Sequence, residues 1–399
     1  MKNLLLLLIG SVIFFACNSV SGSGANSIED SFEYYPPTPG KLEKQEFRRY
    51  FRELSSFFDS TLLRSNFNGG ILVAKDGEVL YEKYVGRPDL RKKDTITETT
   101  SFHLASTGKT FTAMATLQLV QQQKISLTDT INKFFPGFPY AGITVEMLLN
   151  HRSGLPNYVY FIYNSGWDTH KMASNDDMLR ILYQYKPPIN YPPGKRFSYS
   201  NTNYALLAMI IEKVSGMKFP EYMQKHLFDP LQMKNTFVFT LKDTATAIPS
   251  FNQSGHFWDY DFLDATYGAK NIYSTPRDLL KWDQALYSGQ LIRQSLLDSA
   301  FSPYSFEKPG IENYGYGWRL KLLPNNKKVI YHYGKWHGFN AAFARLTDEK
   351  VTIIILGNRF TKAIYRSANQ CFDIFGNYLK QFDPNSAENN TEHDEEGGK

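Results

Sequence analysis

A serine and a lysine three residues apart are the first pair in this sequence that could do chemistry together. They are Ser106 and Lys109, in the stretch HLASTGKTFTAM. Apolar residues continue at helical spacing beyond them, which predicts a buried helix starting at Ser106 with Lys109 one turn along on the same side. A serine hydroxyl is a weak nucleophile until a base takes its proton, and a partly desolvated lysine can serve as that base. By itself the pair is also typical of a helix cap beside a surface lysine.

The same residues overlap a second possible chemistry, because Gly108-Lys109-Thr110 looks like the end of a phosphate-binding loop. Such a loop needs an earlier glycine so that the backbone can curl around phosphate. His103 occupies that position here. The sequence therefore disfavours nucleotide binding and leaves Ser106 as the better candidate.

A tyrosine and an asparagine form the second motif, Tyr199-Ser200-Asn201, just before a predicted helix that ends at Gly216. A phenol beside an ammonium can be partly ionised and act as a general base. The amide of Asn201 can donate to a substrate and accept from Lys109.

The third motif, His332-Tyr333-Gly334, ends a β-rich run and is followed by Gly338. In this order the three motifs resemble the β-lactamase-related family of penicillin-recognising serine hydrolases. That family includes class C β-lactamases, D-alanyl-D-alanine carboxypeptidases, D-aminopeptidases and several esterases. The resemblance spans about residues 68 to 375 and extends to flanking text such as ITVEMLLNHRSGLPNY and YGYGW.

This resemblance implies a mechanism. Ser106 would attack an ester or amide carbonyl and become acylated, with Lys109 lowering the barrier to proton transfer. Tyr199 would be the general base for acylation and a candidate to activate water, and Asn201 would orient Lys109 or the substrate. Which of Lys109 and Tyr199 takes the proton stays open, because the two would titrate as a unit.

The resemblance also implies an oxyanion hole formed by the backbone amides of Ser106 and Lys335, with no metal or cofactor. His332 and Tyr333 replace the Lys-[Thr/Ser] that holds a substrate carboxylate in β-lactamases, with Gly334 completing the substrate-binding motif. A histidine is mostly neutral at pH 7, so the change favours an esterase or D-amino-acid peptidase over a β-lactamase. Lys335 could restore a positive charge. The alternative is an acyl-binding, penicillin-binding-like protein on the same fold that does not turn over.

The elements that would position these motifs begin with an amphipathic helix around Phe47, Tyr50, Phe51, Leu54 and Phe58. A hairpin turning at Asp76-Gly77 follows it, and a helix capped by Thr275 with Pro276 and Asp278 comes later. Three β-rich runs, around KVIYHYG, NAAFARLT and VTIIILGN, and a closing helix complete the order.

This order predicts an α+β fold of the β-lactamase/transpeptidase type, with one antiparallel sheet, flanking terminal helices and an all-helical lobe. The hydrolase domain is expected over 41–385. Its sheet lobe would comprise about 41–104 and 268–385, its helical lobe about 105–267, and the site would lie in the cleft between them.

The ends of the chain predict export. Residues 1–17 combine an early lysine, an apolar run and a cysteine after a small residue, which is typical of a lipoprotein signal with Cys17 as lipid attachment site and membrane anchor. An ordinary secretory signal is the alternative. A flexible tether over 18–40 and an acidic disordered tail over 386–399 are expected. The protein would face the periplasm or the cell exterior.

The distribution of charged residues indicates which classes of molecule the protein would bind. The net charge is +5, but the basic residues are scattered along the chain and form no dense patch, so nucleic acid is not an expected partner. The expected partner is a small ester, amide or peptide substrate, and cell-wall fragments are one source of such molecules.

His337 is expected to have a rim or structural role, since no carboxylate motif accompanies it. Cys371 fits a buried small hydrophobic position. Aromatic residues in 158–167 predict either an acyl-binding wall or a packed core loop.

Overall fold

The structure is a computed structural model that describes residues 34–380. The signal peptide, Cys17, most of the tether and the acidic tail lie outside these residues, and those assignments stay predictions. The end of the predicted tether packs on the domain: the Tyr35 amide donates to Gln290 Oε1 (3.0 Å) and the Gly40 amide to the Asp76 carbonyl (2.7 Å). Between residues 34 and 380, none of the helices has the length and apolar character of a membrane span.

The described residues contain eleven α-helices, with short 3-10 or π turns between some of them. They are α1 Lys44–Thr61, α2 Lys109–Gln121, α3 Ile131–Phe134, α4 Val145–Leu149, α5 Tyr158–Asn164, α6 Asn175–Tyr185, α7 Asn201–Ser215, α8 Phe219–Met223, α9 Pro276–Ser288, α10 Gln294–Ala300 and α11 Ala363–Cys371.

The same residues contain twelve strands. They are β1 Gly69–Lys75, β2 Glu78–Val85, β3 Phe102–His103, β4 Phe237–Val238, β5 Ser250–Phe251, β6 Phe257–Trp258, β7 Ile272–Ser274, β8 Glu312–Tyr314, β9 Arg319–Leu322, β10 Lys328–Trp336, β11 Phe339–Leu346 and β12 Val351–Gly357.

Seven strands form the main sheet, in the order β2-β1-β12-β11-β10-β9-β8, and every pairing is antiparallel. The predicted hairpin is confirmed: β1 and β2 meet at Asp76 (φ 50°) and Gly77 (φ 79°), two left-handed residues that suit a two-residue turn. The three late β-rich runs are β10, β11 and β12. The predicted antiparallel sheet is therefore confirmed.

Both faces of the main sheet are covered, and alternate residues of each strand enter different cores. Leu72 and Ile354 pack with the helical lobe, whereas Ile71 and Ile353 pack with α1 and α11. In α1, Tyr50, Leu54 and Phe58 are buried as predicted. Phe51 is 48% exposed, because it lies one position round the helix from that stripe.

The predicted helical lobe, 105–267, contains α2, which is buried from Lys109 through Leu119 and packs against α7. The prediction that this lobe is all-helical is corrected in detail, because β4, β5 and β6 fall within its sequence range. These strands have two residues each, too few for a period-2 pattern to reveal them. The closing helix was predicted over KAIYRSANQCFDIFGNYL and is shorter, since α11 ends at Cys371 and continues as the 3-10 turn Phe372–Ile374.

Two local predictions hold. The Thr275 side chain accepts from the Asp278 amide (3.1 Å) at the start of α9, as a cap should. Cys371 is fully buried, and burial raises the pKa of its thiol.

Candidate active site

The nucleophile candidate lies in a tight turn between β3 and α2. Residues Ala105–Gly108 form a 3-10 helix, so the α-helix begins at Lys109 and not at Ser106 as predicted. Ala105 has φ 49°, a left-handed conformation that is unusual for alanine. Its amide donates to His103 Nδ1 (3.0 Å), which fixes the turn. The turn brings Ser106 onto the same side as Lys109.

Ser106 Oγ is the point where the predicted catalytic side chains meet. Lys109 Nζ lies 2.6 Å from Ser106 Oγ and donates to the Ala269 carbonyl at 2.9 Å. Tyr199 OH also lies 2.9 Å from Ser106 Oγ. Lys109 is fully buried, and Ser106 and Tyr199 are 4% and 8% exposed. The arrangement places a hydroxyl between an amine and a phenol, as proton transfer away from a serine requires.

Tyr199 lies two residues before the start of α7 and beside two cations. Lys109 Nζ is 4.9 Å and Arg319 Cζ is 5.2 Å from the centroid of its ring. Asn201 is buried at the first position of α7, and its backbone amide donates to Asn157 Oδ1 (3.3 Å). The predicted role of the Asn201 side chain towards Lys109 or a substrate stays a prediction.

The third motif approaches Ser106 through the backbone of β10. Pairing of β10 with β9 ends at Tyr331, and the rest of β10 continues along the nucleophile turn. Thr107 Oγ1 donates to the His332 carbonyl (3.1 Å). A Cβ at Gly334 would lie 2.3 Å from the Leu104 carbonyl oxygen and 2.8 Å from the Ser106 nitrogen. The predicted oxyanion hole, from the amides of Ser106 and Lys335, is compatible with this close approach.

The side chains of this motif lie elsewhere than predicted. His332 is fully buried, donates from Nδ1 to the Tyr333 carbonyl (2.7 Å) and accepts from Tyr314 OH at Nε2 (3.2 Å). Burial, followed by Arg319 and Lys109, holds the pKa of His332 well below its usual range. With both nitrogens engaged, His332 supports Tyr314 and is not presented to a substrate.

Tyr333 lies on the opposite face of the sheet and donates to Asn369 Oδ1 of α11 (2.7 Å). Lys335 shares that face by strand alternation, and its Nζ lies 5.1 Å from the ring centroid of Phe360. Their predicted contacts with substrate through the side chains are therefore corrected. Arg319, and not Lys335, supplies a positive charge beside Tyr199 in addition to Lys109. The sequence missed it because β9 is a four-residue strand without a clear pattern.

His337 has carboxylate partners that are remote in sequence. Its Nε2 lies 3.0 Å from Asp264 Oδ2, and Trp336 Nε1 donates to Asp264 Oδ1 (2.5 Å). Side-chain atoms of His337, Asp264 and Asp261 lie within 4.8 Å of one another and could ligate a metal ion. The buried Lys270 already supplies a cation near Asp264 and Asp261, and burial lowers its pKa to about 8. These contacts are compatible with the expected structural role of His337, which stays a prediction.

The aromatic segment 158–167 divides between the two predicted roles. Tyr158 and Phe161 are buried core residues, and Tyr158 OH lies 2.9 Å from Thr266 Oγ1. Tyr160 and Tyr163 are 49% and 64% exposed. The prediction of a packed core loop is therefore confirmed for Tyr158 and Phe161.

Replacing Gly334 by alanine is expected to lower kcat/KM by about 100-fold, because the methyl group would push β10 away from the Ser106 amide. Steady-state kinetics with an activated ester measure the loss. Gly357→Ala is the matched control: its Cβ would meet the movable Cδ1 of Ile364 at 2.9 Å, away from Ser106. Equal losses of kcat/KM in both variants would show that the effect is general strain and not displacement of β10.

Comparisons with known proteins agree with this geometry. The family model described as Beta-lactamase matches residues 49–370. Penicillin-binding protein 4* of Bacillus subtilis is 32% identical over 342 residues, which cover 82% of this chain and 75% of that protein. Protein flp of Staphylococcus aureus (strain MW2) is 27% identical and is covered to 63% of its length.

Solved structures show the same fold. A penicillin-binding protein from Bacillus halodurans superposes with a TM-score of 0.70 at 22% identity, covering 80% of this chain and 98% of that one. The D-amino acid amidase of Ochrobactrum anthropi, complexed with L-phenylalanine, gives a TM-score of 0.65 at 22% identity, covering 82% and 96%. The family match over most of the chain, together with the motifs gathered around Ser106, shows that the protein belongs to the β-lactamase family of serine hydrolases.

Proposed function

We propose that the protein hydrolyses ester or amide bonds through an acyl-enzyme on Ser106. The observation that carries the proposal is the position of Ser106 Oγ, within hydrogen-bond distance of both Lys109 Nζ (2.6 Å) and Tyr199 OH (2.9 Å). A buried serine that meets two titratable partners is arranged for loss of its proton during attack.

The two half-reactions use the same groups. In acylation, Oγ bonds to the substrate carbonyl carbon while the Lys109–Tyr199 pair takes the hydroxyl proton and passes it to the leaving alcohol or amine. The amides of Ser106 and Lys335 would stabilise the oxyanion, at about 3 kcal/mol each. In deacylation, water loses a proton to the same pair and attacks the acyl carbon. The bond between the acyl carbon and Ser106 Oγ then breaks, the pair returns the proton to Oγ, and the acid is released. Tyr199 can carry the proton in both directions because it contacts Ser106 directly.

Among ester and amide substrates, we favour those that carry an anionic group close to the acyl group. Arg319 is half-buried beside Tyr199 and can attract a carboxylate. The relatives named as penicillin-binding proteins and as a D-amino acid amidase support small amides and peptides, including cell-wall fragments, as candidates. We further propose that the protein acts at the cell envelope, held to the membrane by a lipid on Cys17.

A second candidate function is acyl binding without turnover. The relatives named for penicillin binding favour it, because a stable acyl-enzyme would give a binding protein on the same site. The two functions share acylation of Ser106 and differ only in the rate of deacylation.

The test is rapid-mixing hydrolysis of p-nitrophenyl esters, a D-amino acid p-nitroanilide and a chromogenic β-lactam, each with and without a free carboxylate. Intact-mass and peptide mass spectrometry should locate the acyl adduct on Ser106. Steady turnover after the burst supports a hydrolase, whereas a stoichiometric burst alone supports the acyl-binding function. An adduct on a different residue would contradict the proposal.

A further inference from the structure

His151 is a buried histidine next to the predicted general base. It follows α4 in a left-handed conformation (φ 56°), is fully buried, and its ring centroid lies 4.3 Å from that of Tyr199 at an interplanar angle of 36°. The rings of Tyr204 and Tyr314 lie 5.1 and 4.9 Å from it. His151 therefore forms part of the wall behind Tyr199.

The hydrogen bonds of His151 define its tautomer. The Ser200 amide donates to Nδ1 (3.2 Å), and Asn203 Nδ2 lies 3.0 Å from the same atom. Asn203 Oδ1 is occupied by the Ser153 hydroxyl, so the Asn203 amide also presents a donor. Since a backbone N–H can only donate, Nδ1 is an acceptor and the ring proton is on Nε2. Nδ1 thus fixes the turn that follows Tyr199.

This arrangement leaves one buried donor without a partner, because Nε2 makes no hydrogen bond among the described residues. A buried donor without a partner is unfavourable, by about 1–3 kcal/mol, and calls for a reason. The ring is enclosed by aromatic side chains, and an N–H on an aromatic face is only a weak substitute. A Phe or Leu would avoid this penalty but could not accept from Ser200.

The titratable and charged groups around His151 come from three other elements: Lys109 of α2, Arg319 of β9 and the neutral His332 of β10. Burial, followed by Lys109, His332 and Arg319, holds the pKa of His151 well below its usual range. Its ring therefore stays uncharged and adds no third cation beside Tyr199.

We propose that His151 is a positioning residue for Tyr199: its ring backs the phenol and its Nδ1 holds the Ser200 turn, so that Tyr199 OH stays at Ser106 Oγ. The inference rests on the proposed function, in which Tyr199 moves the proton of Ser106. It adds to that function a residue that touches neither the substrate nor the reacting oxygen.

Two variants separate the two contributions. His151→Asn keeps an acceptor close to the Nδ1 position and tolerates the left-handed backbone, but removes the ring. His151→Phe keeps the ring and removes the acceptor. We expect each variant to lower kcat about 10- to 100-fold with little change in KM, because a small displacement of a catalytic group is costly. The pH profile of kcat/KM should shift in both, since the profile reports the Lys109–Tyr199 pair.

A double-mutant cycle with Tyr199→Phe gives the decisive readout. If His151 acts through Tyr199, His151→Asn should change kcat less than twofold in the Tyr199→Phe background. His226→Asn is the matched control, because His226 also packs on a tyrosine, but outside the site: its ring centroid lies 4.5 Å from that of Tyr222, at an interplanar angle of 35°. The kcat of this variant should be unchanged.

Full additivity in the cycle, or His151 variants with wild-type kcat and pH profile, would overturn the inference. A lower melting temperature with unchanged kcat would also overturn it, since it would show a structural role only. The proposed function fails by a different result, namely hydrolysis that persists in Ser106→Ala.

Discussion

Ser106→Ala is expected to abolish turnover, with kcat/KM falling by at least about 10^4-fold on every substrate that the wild-type protein hydrolyses. The variant removes the atom that would bond to the substrate, so activation by Lys109 and Tyr199 has nothing to act on. The backbone amides of the predicted oxyanion hole and the side chains around Ser106 remain, so KM or the dissociation constant should change by only a few-fold. Steady-state kinetics and intact-mass analysis measure both consequences.

The fold should survive this substitution. Ser106 has a small side chain, and Lys109 Nζ keeps its hydrogen bond to the Ala269 carbonyl. The melting temperature should therefore stay within a few degrees of wild type, and a loss of activity could not be attributed to unfolding. Wild-type hydrolysis in Ser106→Ala would refute the acyl-enzyme, and an adduct that still forms would point to another nucleophile.

The sequence predicted the side chains that meet at Ser106 Oγ better than it predicted their surroundings, for a physical reason. Ser106 and Lys109 are one turn apart, so local geometry alone brings them together. Tyr199 is 93 residues away from Ser106, and only the resemblance to a family joined it to the pair. The structure then showed that the two groups meet at one oxygen.

The predictions that had to be corrected concern what the side chains of the third motif contact, which the types of the residues alone do not determine. His332 and Tyr333 are adjacent on β10, so their side chains must leave opposite faces, and the neighbouring elements determine what each face meets. Tyr333 meets α11 and His332 meets Tyr314. Arg319 reaches the site from β9, an element that the sequence did not predict.

His337 shows the same limit for charged partners. Its carboxylate partner Asp264 is 73 residues away in the sequence, so the absence of a nearby motif was not informative. The Asp264 carboxyl has its pKa lowered to about 2 against the effect of burial, by His337 and Lys270. The expected structural role is consistent with these contacts, but the partners could be identified only from the fold.

Lys109→Met is expected to lower kcat/KM by about 10^3- to 10^4-fold, with most of the loss in kcat. The Nζ atom contacts Ser106 Oγ directly, and Tyr199 would be left as the only titratable group described at that oxygen. Methionine is an unbranched apolar side chain of similar volume, so it can fill the space of the buried Lys109 side chain. The cost to stability should be limited to about 1–3 kcal/mol, from the Ala269 carbonyl that loses its donor.

The neighbouring Lys270 provides the matched control, because it is also buried and donates to a backbone carbonyl, that of Leu263 (2.7 Å). Lys270→Met should destabilise the protein, since Asp264 loses a neighbouring cation, while kcat of the folded protein stays within a few-fold. Urea unfolding and steady-state kinetics on both variants separate stability from chemistry. If Lys109→Met kept wild-type kcat, or if Lys270→Met lost as much kcat, the proton-transfer role of Lys109 would be wrong and its amine would serve only to hold the segment around Ala269.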